Sequence, residues 1–474
     1  TTLTTTVPAG ATTGPVQVVT PAGTATSPTT FTVTVPAVSV SGGSATEGGV
    51  VSFQLTLSEP SPQPVTVSYA TADGTATDTD YIAASGSVTF APGTTSQVAS
   101  ISTRQDTLDE ADETFAFELA NPTNAVLGAG TATGLILDND AAPSLTINNV
   151  TVTEGNGGAI VATFTVALSA ASGQIVTVNW ATADGTATAP ADYTSASGVL
   201  SIPPGTTRGT LPVTVTSDLL DEANETYTVN LAGATHATIA DGVGQGTITD
   251  DDARPALRIN DVSVTEGTGG TVDAVFTVTL SAASGRTVSV NVATANGTAV
   301  AGIDYTTTST GLSFPPGVVS HTVRVPVTGD ALDEENETFT ARLTSAVNAS
   351  IADSSGRATI ADDDPAPSVS ISDVTVTEGA TAAATFTVSL SAASGRTVSV
   401  RYATANGTAV SGSDYTGVSG TLTFAPGTTS MVVNVAILDN DVAEPSETFV
   451  VSLRSPRNAT IADATGVCAI TDND

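Results

Sequence analysis

The residues of this sequence that could do chemistry are almost all carboxylates, and they recur in four spaced sets. The first is Glu47, Asp73, Asp106, Glu110, Glu113, Asp138 and Asp140. The second is Glu154, Asp184, Asp218, Glu222, Glu225, Asp250, Asp251 and Asp252. The third is Glu266, Asp330, Glu334, Glu337, Asp362, Asp363 and Asp364, and the fourth is Glu378, Asp439, Asp441, Glu444, Glu447, Asp472 and Asp474. These sets hold most of the 47 acidic residues, so the acidity is concentrated rather than spread as a solubilising coat. Two carboxylates ~4 Å apart repel by about 1 kcal/mol in water and about 4 kcal/mol at an effective dielectric of 20. A set gathered at one place therefore needs a counterion. A hard divalent cation accepting several oxygens supplies one, and Ca²⁺ suits such a set better than Mg²⁺, which demands tight octahedral geometry and keeps its waters.

Other chemistries find little support. The two histidines, His236 and His321, stand in strand-like contexts, and one cysteine, Cys468, cannot form an intrachain disulfide and reads as buried. Paired carboxylates can serve a glycosidase, but that requires one acid of raised pKa in a substrate cleft. Four near-identical acidic sets without an aromatic-lined groove do not read as an enzyme. All twelve basic residues are arginine, the net charge is −35 and the pI is about 4.1, which argues against nucleic acid. No apolar run approaches the ~20 residues of a membrane helix, and the first residues are polar rather than signal-like. The aspartates of the recurring Asp-Tyr pair (Asp80, Asp192, Asp304, Asp414) read as turn residues satisfying backbone donors. Trp180 and Tyr402 read as strand packing. Two glycosylation sequons, at Asn224 and Asn336, overlap candidate ligands, and a glycan there would obstruct the site.

The carboxylates are embedded in a repeat. Thr-Glu-Gly opens at Thr46, Thr153, Thr265 and Thr377, followed by Ala-Thr-Ala-(Asp/Asn)-Gly-Thr-Ala at Ala70, Ala181, Ala293 and Ala403. Asp-Tyr, a Pro-Gly turn and a Glu-Thr-aromatic motif come next, and each copy ends on an acidic triplet such as Asp362-Asp363-Asp364. The interval is roughly 110 residues, a whole domain rather than a solenoid repeat of about 20–50 residues. Alternation of apolar residues, as in Ala162-Thr163-Phe164-Thr165-Val166-Ala167-Leu168, has the period of half-buried strands. The third copy shows seven strand-like runs, near Leu257–Thr265, Ala274–Leu280, Thr287–Ala293, Gly311–Phe314, His321–Val327, Thr338–Leu343 and Arg357–Ile360. The sequence therefore predicts an all-β protein of tandem immunoglobulin-like seven-stranded β-sandwiches arranged as a rod. The expected domains are 1–35, 36–140, 141–252, 253–364 and 365–474, joined by short proline-bearing links.

Taken in order, these motifs resemble the Calx-β domain, a family that includes calcium-binding domains of sodium–calcium exchangers and tandem arrays in large bacterial surface proteins. The resemblance implies that the carboxylates above are Ca²⁺ ligands, together with backbone carbonyls at Leu108, Leu220, Leu332 and Val442. Asn296 and Asn406 replace the aspartate of Ala-Asp-Gly, so fewer or weaker ions are expected in copies three and four. Residues 1–35 differ: Val7-Pro8-Ala9-Gly10-Ala11-Thr12-Thr13-Gly14-Pro15-Val16 and Phe31-Thr32-Val33 resemble the last strands of an IPT/TIG domain. Both ends read as a window cut from a longer protein, with strand donation to a neighbouring chain as the alternative for residues 1–35. The functional expectation is a calcium-rigidified extracellular or cell-surface rod, structural or adhesive, that could associate end to end or laterally into fibres. The alternative is a calcium-sensing regulatory module of a membrane-associated protein.

Overall fold

Strand formation follows the alternation read from the sequence. In Gly270–Leu280 the side chains of Ala274, Phe276, Val278 and Leu280 are buried while those between them are more exposed, the period-two pattern of a sheet with one face on a core. The computed structural model describes all residues except Thr1, Leu3, Thr6, Ala9, Gly10, Thr381 and Ala382, and among the described residues there is no α-helix. Two of the residues on which the IPT/TIG resemblance was read, Ala9 and Gly10, lie outside the described residues.

The chain divides into two units, one of residues 1–217 and 224–249, the other of residues 218–223 and 250–474. In the second unit, the third repeat packs a four-stranded sheet on a five-stranded one. The four-stranded sheet runs Ser320–Gly329, Gly270–Leu280, Ala256–Ile259, Ser350–Ile351. The five-stranded sheet runs Val262–Thr265, Ser355–Ala361, Glu337–Val347, Val288–Asn296, Ser309–Phe314. The fourth repeat in this unit, and the first and second repeats in the other, have the same two-sheet order.

The predicted run Leu257–Thr265 is two strands, not one. Ala256–Ile259 joins the smaller sheet and Val262–Thr265 the larger, where it pairs parallel to Ser355–Ala361. Asn260 and Asp261 carry the crossing: Asn260 Oδ1 accepts the Thr277 N–H at 2.5 Å and Asp261 Oδ1 the Arg357 N–H at 2.8 Å. These bonds satisfy donors that a chain switching sheets leaves unpaired. Gly14–Thr20 and Gly23–Phe31 form an antiparallel hairpin, a two-stranded sheet of its own among the described residues.

Between the sheets of each repeat, the tyrosine of Asp-Tyr stacks on the aromatic of Glu-Thr-aromatic. Centroid separations are 4.3 Å for Tyr81–Phe115, 4.5 Å for Tyr193–Tyr227, 4.2 Å for Tyr305–Phe339 and 4.1 Å for Tyr415–Phe449. The stacks bind two motifs far apart in sequence into one aromatic pair. The second repeat has Tyr227 where the others have phenylalanine, and its buried hydroxyl has no hydrogen-bond partner among the described residues. An unsatisfied buried hydroxyl costs about 1–3 kcal/mol. Tyr227→Phe should therefore raise stability by about 1 kcal/mol in equilibrium denaturation, whereas a loss would show that the hydroxyl is satisfied.

Candidate metal centre

The carboxylates of the first, third and fourth sets are gathered by strand ends. The opening glutamate is tied to the last strand of its own repeat through its backbone: Glu47 N–H donates to Leu137 O at 3.2 Å, Glu266 to Ala361 O at 3.2 Å and Glu378 to Thr471 O at 3.1 Å. The glycine that follows has φ of +66°, +74°, +77° or +64° (Gly48, Gly155, Gly267, Gly379), a left-handed turn that explains Thr-Glu-Gly. Immediately after that last strand comes the acidic triplet. The third contributor is the loop preceding Glu-Thr-aromatic, which is closed by its own aspartate: Asp106 Oδ1 accepts Leu108 N–H, Asp218 Oδ1 accepts Leu220 N–H, and Asp330 Oδ1 accepts Leu332 N–H, each at 2.8 Å.

In the first repeat two acid groups result. One oxygen each of Glu47, Asp138 and Asp140 lie within 4.8 Å of one another, as do one each of Asp80, Glu110 and Glu113. The third repeat brings together Glu266, Asp362 and Asp364 within the same distance. Asp138 Oδ1, Asp140 Oδ2, Asp362 Oδ1 and Asp364 Oδ2 are buried and have no hydrogen-bond partner among the described residues. In the fourth repeat Glu378, Asp414, Glu444, Glu447 and Asp472 line a cleft of about 10 Å³, room for roughly one water-sized sphere. Carboxylate oxygens gathered this closely, some of them buried and unpaired in the first and third repeats, have the chemistry of a donor set for a hard cation.

Not every candidate joins these groups. Asp73, Asp184, Asn296 and Asn406 each accept the hydroxyl of the repeat's tyrosine, at 2.8, 2.6, 2.5 and 2.6 Å. That role needs a side-chain oxygen, which asparagine supplies as well as aspartate. Asp363, the middle of its triplet, accepts the Gly267 N–H at 3.1 Å, and Asp251 is exposed. In the fourth repeat Asn440, rather than Asp439 or Asp441, holds the loop-closing place, accepting Val442 N–H at 2.9 Å, and both aspartates are exposed.

Sequence reasoning favoured a turn role over metal contact for the Asp-Tyr aspartates, and the structure places them both in the turn and beside the acids. One carboxylate oxygen caps the turn, taking Thr77 N–H at 2.7 Å in Asp80 and Thr188, Val300 and Val410 N–H at 2.6 Å in Asp192, Asp304 and Asp414. Asp80 also stands in the group with Glu110 and Glu113, and Asp414 lines the cleft of the fourth repeat. Their constant spacing from the glutamate of Glu-Thr-aromatic was the available signal.

Crowding shows in the acidities. Burial, reinforced by Asp106, Asp138, Asp140 and Glu110, pushes Glu47 up to about 7. Burial and the neighbouring Asp362, Glu334, Asp330 and Asp364 do the same to Glu266. Burial, together with donation of its proton to Asp80, raises Glu113 to about 7, and Glu337 behaves likewise beside Asp304. Glu378 reaches about 7 through burial and its bond to Asp472, which backbone N–H groups of Glu444 and Asp474 hold low. A carboxyl whose folded pKa exceeds its unfolded value stabilises the fold fully below about 4.5, and the contribution is lost as pH rises through about 7. In chelator, the melting temperature should fall between pH 5 and pH 8 by roughly 5 °C. Thermal melts check this, and a rise with pH would contradict the crowding.

A family model described as the Calx-beta domain matches residues 24–140, 138–252, 249–364 and 361–474. The chain is 34% identical over 176 residues to the sodium/calcium exchanger Calx of Drosophila melanogaster, a match covering 36% of this chain and 18% of the exchanger. It is 39% identical over 71 residues to sodium/calcium exchanger 1 of Canis lupus familiaris, covering 15% and 7%. The chain thus spans less than a fifth of the length of these relatives. Among solved structures it is similar to CBD12 from CALX1.2, at 24% identity and TM-score 0.23, covering 45% of this chain and 99% of that one. Another is the apo-form Calx CBD1 domain, at 27% identity and TM-score 0.21, covering 22% and 98%. With the family model matched in four successive segments from residue 24 to residue 474, the chain belongs to the Calx-beta domain family.

Proposed function

We propose that the protein is an array of calcium-binding modules in which Ca²⁺, bound at the acidic end of a repeat, stiffens the junction with the next. The observation that carries this reading is the set of buried carboxylate oxygens without hydrogen-bond partners at Asp138, Asp140, Asp362 and Asp364, beside the opening glutamates Glu47 and Glu266. Oxygen-only donors in irregular loops suit Ca²⁺. The residues that would hold it are the opening glutamate, the outer aspartates of the triplet, the Asp-Tyr aspartate and the two glutamates before the aromatic. When bound, the ion supplies positive charge that relieves carboxylate repulsion, so it acts as a structural staple. The chain's own residues orient the carboxylates and shield them from water, and we assign them no catalytic step.

On this reading the array is an extracellular or cell-surface structural rod, where millimolar calcium fills even weak sites. Short proline-bearing links such as Pro365-Ala366-Pro367 support stiffness. Fibre association between copies would extend the same role. The similarity to exchangers favours a second reading, a calcium-sensing module that changes its bend at micromolar calcium.

Calorimetric titration, with small-angle scattering on the same samples with and without chelator, separates the two. Saturable sites plus a longer, stiffer particle are expected for the rod. Micromolar affinity with a change of bend would favour sensing, and no binding at millimolar calcium would sink both. Asp304→Asn, which keeps the turn-capping oxygen but removes the charge, should weaken calcium binding in the third repeat roughly tenfold. An unchanged isotherm would remove Asp304 from the ligand set.

A further inference from the structure

One contact recurs at three junctions, and its hydrogen bonds use residues outside the candidate ligand set. In the first unit, Ser172 Oγ donates to Asp109 O at 3.1 Å, and Gly173 N–H donates to the same carbonyl at 3.0 Å. In the second unit, Ser284 Oγ donates to Asp221 O and Ser394 Oγ to Asp333 O, both at 3.0 Å, and Gly395 N–H donates to Asp333 O at 3.1 Å. The aspartate side chain faces the same hydroxyl at 3.3, 3.4 and 3.2 Å. These groups are buried: Ser172, Ser284 and Ser394 are 1–2% exposed and Asp221 and Asp333 are 3% and 5% exposed. At the third junction Arg396 adds ion pairs to Asp333 at 3.6 Å and Glu335 at 2.6 Å.

The glycine leaves room for a glutamate of the preceding repeat. A Cβ at Gly173, Gly285 or Gly395 would collide with the side chain of Glu110, Glu222 or Glu334, the residue after the contacting aspartate. The two outer repeats break the pattern in complementary ways. The first repeat has the same serine loop, with Ser61 Oγ accepting Gln63 N–H at 3.1 Å as Ser172 accepts Gln174 N–H at 3.0 Å, but Pro62 stands where the others have glycine. Proline has no N–H to donate, and its ring fills the space a glutamate would occupy. The fourth repeat keeps Glu444, but Ala443 stands where the others have aspartate.

We infer that these residues form a directional latch between Calx-beta repeats. An Asp-Glu pair at the acidic end of one repeat is presented to a Ser-Gly loop that receives it in the next. Repeats two and three carry both halves whole, the first lacks the receiving N–H and the fourth lacks the presenting carboxylate. The partner fitted by each half is therefore another repeat bearing the complementary pair, and a contact of a fourth repeat with a first repeat of another copy would lack both the carboxylate and the glycine N–H. A Pro62 loop lacks the N–H that the carbonyl takes, and an Ala443 end keeps the carbonyl but lacks the carboxylate that faces the serine.

The test uses the full chain. Gly395→Pro copies the first repeat's residue into the fourth, and Asp333→Ala copies the fourth repeat's residue into the third. Proteolytic cleavage between residues 361 and 364 should be roughly tenfold faster in Gly395→Pro. Exchange of the Gly395 amide, whose acceptor carbonyl survives, should be roughly tenfold faster in Asp333→Ala, because the junction opens more often once Ser394 and Arg396 lose the carboxylate. Exchange protection of Glu337–Val347 and Glu447–Arg457 should be retained, which excludes misfolding, and Pro62→Gly should change neither readout. Unchanged cleavage in Gly395→Pro with those strands protected overturns the latch. Faster cleavage in Gly395→Pro with unchanged exchange in Asp333→Ala overturns the presenting half.

Discussion

The stacking of one tyrosine on one strand aromatic is the contact on which the grouping of the acids depends. Tyr81 and Phe115 lie 4.3 Å apart and nearly parallel, and Tyr81 donates its hydroxyl to Asp73. Asp80 is the residue before that tyrosine, and Glu113 opens the strand that carries Phe115. Fixing the ring pair therefore fixes Asp80 beside Glu113 at the edge of the core. Hydrophobic burial thus brings together two like charges that would otherwise separate. The same stack in all four repeats accounts for the joint recurrence of Asp-Tyr, Glu-Thr-aromatic and Ala-(Asp/Asn)-Gly.

That arrangement is electrostatically costly by itself. The glutamates respond by holding protons that a free carboxyl would release, and Glu113 shares one with Asp80. Burial is the leading cause in each case, because water can no longer screen the charge. A divalent cation offsets the same repulsion without protonation. Proton and cation are thus alternative solutions to one problem, and the fold leaves both available.

The segment that carries the acids also faces outward. Glu110 and Glu334, whose carboxylates belong to the acidic ends, have their stems against Gly173 and Gly395 of the following repeat. Asp109 and Asp333, one residue earlier, take that repeat's serine. A loop of a few residues therefore serves two neighbours, which explains why its sequence is held so closely in the first three copies. In the fourth copy, where Ala443 and Pro445 replace Asp333 and Glu335, the loop keeps the acid that points inward.

The sequence by itself determined the all-β class, the four repeats and the concentration of carboxylates at strand ends, because alternation, turn residues and spacing are local properties. It also marked Glu47, Glu266, Asp362 and Asp364, whose charge has no other evident use. Only the tertiary structure decided how the acids divide. Asp73 and Asp184 serve a tyrosine hydroxyl, Asp363 serves a backbone N–H, and Asp80 turns from a turn residue into a member of the acid group. The split of Leu257–Thr265 between two sheets was likewise illegible, since both halves alternate alike and only Asn260 and Asp261 mark the crossing. A carboxylate's type and spacing state that it can accept hydrogen bonds or a cation. Which of these it accepts depends on the donors that folding brings within 3 Å or so, and the carboxylate's own type does not state them.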